Sequence, residues 1–221
     1  MKKVIFLSTI YALLALTSFT ACLGDDDKND TKELSQQEKQ MALNKISGFY
    51  TGKLHFYNPR HLDKRDSLSM KWDISAYGVF STQELPVAFL ANFAPAGTEV
   101  RTALDHAEPI KYSATIDPQQ KSSLENTSLL LCSFLPDNYT LTFATEYEGK
   151  NYNVSVVLLR SMTRTEGSGA SNYAAISEHK ETSNKEGGTT KAMNGYLLLD
   201  KMTVNGEEYT INDYAVIRGK N

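Results

Sequence analysis

The sequence predicts a mostly β (α+β) fold: an N-terminal amphipathic helix followed by an antiparallel sheet, barrel-like or sandwich, with a long flexible insertion. Three observations carry this. Apolar and polar residues alternate with a period of two through most of the chain, helical spacing is confined to two short stretches, and turn dipeptides fall between the alternating runs.

The first segment is an address rather than a fold element. Met1-Lys2-Lys3 is a positive start, Val4–Leu16 is the apolar stretch, and Thr17–Ala21 becomes smaller and more polar before Cys22. That is the layout of a secretory signal, with the lysines held at the cytoplasmic face while the apolar run enters the bilayer. Cys22 directly after Ala21 resembles the lipobox of lipoprotein signals, so residues 1–21 are expected to be removed and Cys22 to carry lipid. Phe19 departs from the leucine usual three positions before that cysteine. Removing Met1–Ala21 deletes Lys2 and Lys3 and no acid, which takes the net charge from -3 to -5. A chain this acidic lacks the basic footprint of a nucleic-acid binder. Residues 22–33, with Asp25-Asp26-Asp27 and Asp30, read as an acidic tether, because clustered like charges stay solvated and extended.

Residues 34–221 are expected to form one β-rich domain. Ser35-Gln-Gln-Glu38 is a capping box, and Met41, Ala42, Lys45 and Ile46 follow at helical spacing, so a helix is predicted over 36–47, with Gly48 ending it. Leu68, Met70, Trp72 and Ile74 then alternate with polar residues, as do Ile110–Ile116, Tyr139–Phe143 and Tyr152–Leu158. That pattern suits an antiparallel sheet with one wet face. Less regular strands are expected at 49–57, 128–135, 195–203 and 208–218. Hairpin turns are marked by Glu148-Gly149 and, more strongly, by Asn205-Gly206, because Asn-Gly accepts positive φ at both corners. Thr98–Ala107 has the spacing of a short helix. Residues 163–191 are rich in Ser, Thr, Glu, Lys and Gly, with a faint apolar patch at Tyr173–Ile176, and read as a flexible insertion.

The chemistry looked for is mostly missing. His55 and His61 lie near Asp63 and Asp66 without the tight paired spacing of a zinc site. Ser177-Glu-His-Lys180 matches a bare Ser-x-x-Lys pattern, but that chemistry needs the serine to open a helix within a formed cleft. Glu84, Glu146, Asp73 and Asp137 are carboxylates of the kind a glycosidase pairs at a distance in sequence, although nothing singles them out. Cys132 sits in the apolar run Leu129–Leu135 and reads as a buried thiol. Trp72 lies on the apolar face of its strand and reads as core. The aromatic residues expected at the surface are Tyr147 and Tyr152, which flank a hairpin tip and offer a weak ligand-binding site. No catalytic residue, no metal ligand and no cofactor is named.

Several segments together resemble a Bacteroidetes family of secreted lipoproteins defined as domain of unknown function 4840. They are the CLGDDD start of the tether, Ile46-Ser-Gly-Phe-Tyr-Thr-Gly-Lys-Leu54, the LSMKWDIS strand, Leu85–Asn92, and the closing Val216-Ile-Arg-Gly-Lys220. The stretch 163–191 departs from the pattern. The resemblance implies an envelope location and a mostly β domain, and it implies no activity. The acidic run behind Cys22 likewise resembles the signal that sends lipoproteins of this group to the outer face of the outer membrane. Asp66-Ser67-Leu68 is similar to their short O-glycosylation signal.

Two functional expectations follow. The first is a non-enzymatic lipoprotein of the outer membrane, surface-exposed, anchored through lipid at Cys22 and binding a glycan or an envelope or host protein, or serving structurally. The second is an envelope hydrolase acting on glycans through sequence-distant carboxylates. A cleft with two facing carboxylates favours the enzyme, and an exposed aromatic or apolar patch without one favours the binder.

Overall fold

The computed structural model describes residues 33–57, 65–124, 127–163, 169–180 and 189–221. The signal segment, Cys22, nearly all of the tether, and the loop residues His61 and Asp63 lie outside them. Helix α1 (Gln36–Ile46) begins as its capping box requires. The Ser35 amide donates to Glu38 Oε2 at 2.8 Å, and the Glu38 amide donates to Ser35 Oγ at 3.3 Å. Leu43 and Ile46 form its buried stripe, and Lys39 Nζ pairs with Asp117 at 2.8 Å. The helix ends at Ser47, and Gly48, at φ +138°, turns the chain into the sheet.

The sheet is built from β1 (Gly48–Tyr57), β2 (Arg65–Ile74), β3 (Val79–Leu85), β4 (Ile110–Leu124), β5 (Thr127–Pro136), β6 (Thr140–Tyr147) and β7 (Lys150–Leu158). Beyond a small hairpin, β8 (Ser161–Thr163) with β9 (Gly169–Ser171), it continues as β10 (Tyr173–Lys180), β11 (Thr189–Val204) and β12 (Glu207–Lys220). A 3-10 turn (Ala88–Phe93) and helix α2 (Glu99–Asp105) link β3 to β4. Every pairing is antiparallel. Both hairpin dipeptides behave as their chemistry demands: Glu148 and Gly149 lie at φ +49° and +74°, Asn205 and Gly206 at +48° and +90°.

The strand order is β10-β5-β4-β3-β2-β1-β12-β11, with the β7–β6 hairpin added along β11. A further pairing of β10 with β11 brings the two ends of that eight-strand run together. The run is thin at one seam: β2 and β3 meet only at Asp73–Ser81 and Ile74–Phe80. The result is a sandwich-like α+β fold rather than an evenly closed barrel.

The interior is filled by aromatic rings drawn from five strands. Tyr50 stacks on Trp72 at 5.7 Å, Trp72 tilts toward Phe80 at 6.0 Å, and Phe80 meets Phe134 edge-on at 5.1 Å. Tyr112 closes against Phe80 at 6.0 Å. Each of Tyr50, Trp72, Phe80 and Phe134 is at most 1% exposed. Burying each such ring contributes roughly 1.5–3 kcal/mol, with a further increment for edge-on geometry. Trp72 is core, as its position on the apolar face predicts.

The largest departure from expectation falls in 163–191. Tyr173–Lys180 is not part of a loop: it forms β10, inserted between β5 and β11 and paired along its length with both. The faint apolar patch explains this. Ala174 and Ile176 face the core at 0% and 2% exposure, and small alanines let β10 sit between two neighbours. Residues 164–168 and 181–188 of the same stretch lie outside the described residues. Strand β3 carries no period-two signal in the sequence, because its apolar residues Val79, Phe80 and Leu85 do not alternate and a register irregularity falls between Thr82 and Leu85.

Candidate functional site

Tyr147 and Tyr152 stand where helix α2 meets the β6–β7 hairpin. Thr98 caps α2 by accepting from the Arg101 amide at 3.3 Å, which sets Glu99 in the first turn, where the helix dipole favours an anion. Glu99 Oε2 then accepts from Lys150 Nζ at 2.6 Å and from the Tyr152 hydroxyl at 3.1 Å. These two hydrogen bonds hold the Glu99 carboxyl below the usual carboxylate range. Tyr152, expected at the surface, is 6% exposed, because α2 closes over it. Tyr147 is half-buried, its ring stacked on His106 at 6.2 Å.

The other residues considered from sequence are dispersed. Cys132 is buried and free, and burial pushes its thiol up to about 12. Ser177 lies within β10 rather than at a helix start, so the Ser-x-x-Lys pattern lacks the setting its chemistry needs. Among the described residues no three His, Cys, Asp or Glu side chains come together as a metal site.

An open polar groove of about 470 Å³ runs between β3, β4 and β6, past Gln83, Lys111, Ser113, Asn138 and Thr142. Asp137, which accepts from Thr115 Oγ1 at 3.3 Å, is the one carboxylate on its lining. Glu84 on β3, Glu146 on β6 and Asp73 on β2 are exposed and do not line it. A glycosidase needs two carboxyls facing one another across a cleft, and this groove brings one. A second, more apolar groove of about 290 Å³ lies beside α1, over Met41, Ile46, Leu130 and Ile176.

The outward face of β11, β12, β1 and β2 is more organised. Its side chains fall into rows because the three pairings are in register. In one row Asn194, Arg218, Lys53 and Ser69 stand side by side, and Arg218 Nε donates to Asn194 Oδ1 at 2.7 Å. The neighbouring row toward the end of the sheet carries Lys220, Thr51 and Lys71. On the other side come His55 and Ser67, and beyond them Tyr57 opposite Arg65.

Aromatic rings border this lattice. Tyr173 stacks on Tyr196 at 4.6 Å, and Tyr196 tilts toward Tyr214 at 5.8 Å. The Arg65 guanidinium caps the row, 4.9 Å above the Tyr214 ring, and donates to the Tyr214 hydroxyl. Beneath the row lie Leu198 and Val216, buried on the outer side of the sheet and separate from the main core. His55 is held below the usual histidine range, first by partial burial and then by Arg218, Lys53 and Arg65. No sequence argument assembled this face, because its residues come from two strand pairs, β1–β2 and β11–β12, more than 100 positions apart in the chain.

The family model described as Domain of unknown function (DUF4840) matches residues 45–182, from the last turn of α1 through β10. No curated protein and no solved structure matches the chain. With well over half of its length covered by that model, the chain belongs to the DUF4840 family.

Proposed function

We propose that this protein is a lipid-anchored binding module of the cell envelope, held at the outer membrane by acyl chains on Cys22, facing the cell surface and carrying no catalytic centre. The observation that supports binding is the outward face of β11-β12-β1-β2, where tyrosines, cations and hydroxyls are fixed in rows on a rigid sheet. Groups held on paired strands lose little entropy when a ligand engages them. The hydrolase reading has less support, since the polar groove presents Asp137 without a facing carboxylate.

The location rests on sequence: the Lys2-Lys3 start, the apolar run to Leu16, Cys22 after Ala21, and the acidic run Asp25–Asp27. More than one acyl chain on the cysteine makes such anchoring stable. Replacing Cys22 with Ser is expected to abolish fatty-acid labelling and release the chain from the membrane fraction; unchanged retention would count against the anchor. Protease added to intact cells is expected to cleave the domain, whereas full protection would turn it toward the periplasm. Release of reducing ends from a glycan panel, lost in Asp137→Asn, would restore the hydrolase reading.

A further inference from the structure

We infer that the outward face of β11-β12-β1-β2 is a binding surface for an acidic polysaccharide, a glycan chain bearing carboxylate or sulfate groups. This rests on the binding-module reading and names its ligand class. Four strands contribute four outward rows here, an area of roughly 14 by 20 Å from strand and residue spacings. Within these four rows stand Lys53, Arg65, Lys71, Arg218 and Lys220, with His55 among them, and no aspartate or glutamate; the first acid on the same face is Asp73, one row beyond Lys71 and opposite Phe49. The whole chain has 23 Lys and Arg against 26 Asp and Glu, so this segregation runs against the overall balance.

The arrangement works against stability. Lys53 and Arg218 face each other directly across β1 and β12, and like charges directly opposite are destabilising in an antiparallel pair. The ion pairs among the described residues join Lys39 to Asp117, Lys45 to Glu178, Lys150 to Glu99 and Lys201 to Glu208, and none uses Lys53, Lys71 or Lys220. Those three lysines are exposed. An anionic ligand laid across the rows removes the repulsion and gains the pairing at once.

The geometry also selects among polyanions. A single-stranded nucleic acid stacks its bases on free aromatic faces, whereas the Tyr173–Tyr196–Tyr214 row stacks on itself and is capped by Arg65. A bilayer surface is gripped by a cluster of protruding apolar or aromatic side chains, whereas Leu198 and Val216 are buried here and Phe49, the exposed aromatic of β1, stands singly at the edge of the face opposite Asp73. What the face does present beside its cations is hydrogen-bonding capacity: Thr51, Ser67, Ser69, Asn194 and phenolic hydroxyls. That combination fits a hydroxyl-rich chain with regularly spaced negative charge.

The test is affinity electrophoresis of the full chain carrying Cys22→Ser, run through gels containing polygalacturonate, dextran sulfate or neutral dextran. Both acidic polymers are expected to retard it, and dextran is not. Lys53→Gln with Lys71→Gln is expected to weaken retardation at least about tenfold, while Lys150→Gln with Lys201→Gln, the same loss of charge elsewhere, leaves it nearly unchanged. Circular dichroism confirms that both double variants fold. Absence of retardation by either acidic polymer, or equal loss in both double variants, would overturn the inference. Tighter binding to phosphatidylglycerol vesicles or to a single-stranded oligonucleotide would overturn it too. Binding to dextran alone would sink the ligand class yet leave the binding-module reading standing.

Discussion

Gly52 on β1 and Gly219 on β12 stand opposite each other in register on the inward face, and the Trp72 ring occupies the space their missing side chains leave. A Cβ on Gly219 would fall 2.2 Å from the Thr51 carbonyl oxygen and 2.4 Å from Trp72 Cη2. A Cβ on Gly52 would fall 2.1 Å from the Arg218 carbonyl oxygen. Neither glycine lies at positive φ, so close approach, not backbone freedom, requires them. The pair brings β1 and β12 tightly over the largest ring in the core.

Gly219→Ala is therefore expected to destabilise the fold by about 1–3 kcal/mol, the usual cost of overpacking, and more if backbone must move. Urea unfolding followed by Trp72 fluorescence measures it. A midpoint equal to that of the parent chain would show that the strands part more easily than the geometry implies.

At the N-terminus of α1, Ser35→Ala removes the acceptor for the Glu38 amide. A loss of about 0.5–1 kcal/mol is expected. Because Glu38 completes the same capping box, adding Glu38→Ala should cost less than the two single changes together. Strict additivity in denaturant titrations would mean that the box does not act as a unit.

On the outward sheet face, Lys53→Thr removes the like-charge pair with Arg218 and places a β-branched residue in a strand. Stability is expected to rise by about 0.2–1 kcal/mol, most clearly at low salt. A gain of stability together with weakened polyanion binding is the signature of a surface kept for a ligand. Calorimetric melting at two salt concentrations reads the first half.

His55 sits among Lys53, Arg65 and Arg218, and burial and those cations lower its proton affinity. In the window between its folded value and the unfolded value of about 6.5, the unfolded chain binds more protons. Stability should be full above that window and decline as pH falls through it, and His55→Gln should flatten the slope. NMR titration of the imidazole should show a midpoint below the ordinary one, moving upward when polygalacturonate is added. An unshifted midpoint in the free protein would contradict the crowding of cations.

The Cys132 thiol is 2% exposed and raised to about 12 by burial. It should resist thiol reagents at pH 8 in the native chain and react fully on unfolding in urea. Rapid native labelling would show that β5 opens locally.

Much of the fold was legible because its signals are local. The capping box fixed the start of α1, the two hairpin dipeptides sit at the positive φ their residues accept, and strict alternation located β2, β4 and β7. Legibility failed where the signal was short or diluted. In β10 the apolar content is carried by alanines and one isoleucine, and only its two neighbours make it a strand. Tyr152 was expected outside because it flanks a turn, and it is inside because α2, encoded some 50 residues earlier, closes over it.

The sequence by itself determined which residues of each strand share a face, where the helices begin, and that Trp72 and Cys132 are interior, because period-two and helical patterns are properties of neighbouring residues. Only the tertiary structure decided which strands lie side by side and in what register. Alternation assigns Lys53 and Arg218 each to the outward side of its own strand, but it carries no information about a partner 165 positions away. That pairing is set by how the whole core packs, through Trp72 and the two glycines above it. The cationic lattice exists for that reason alone.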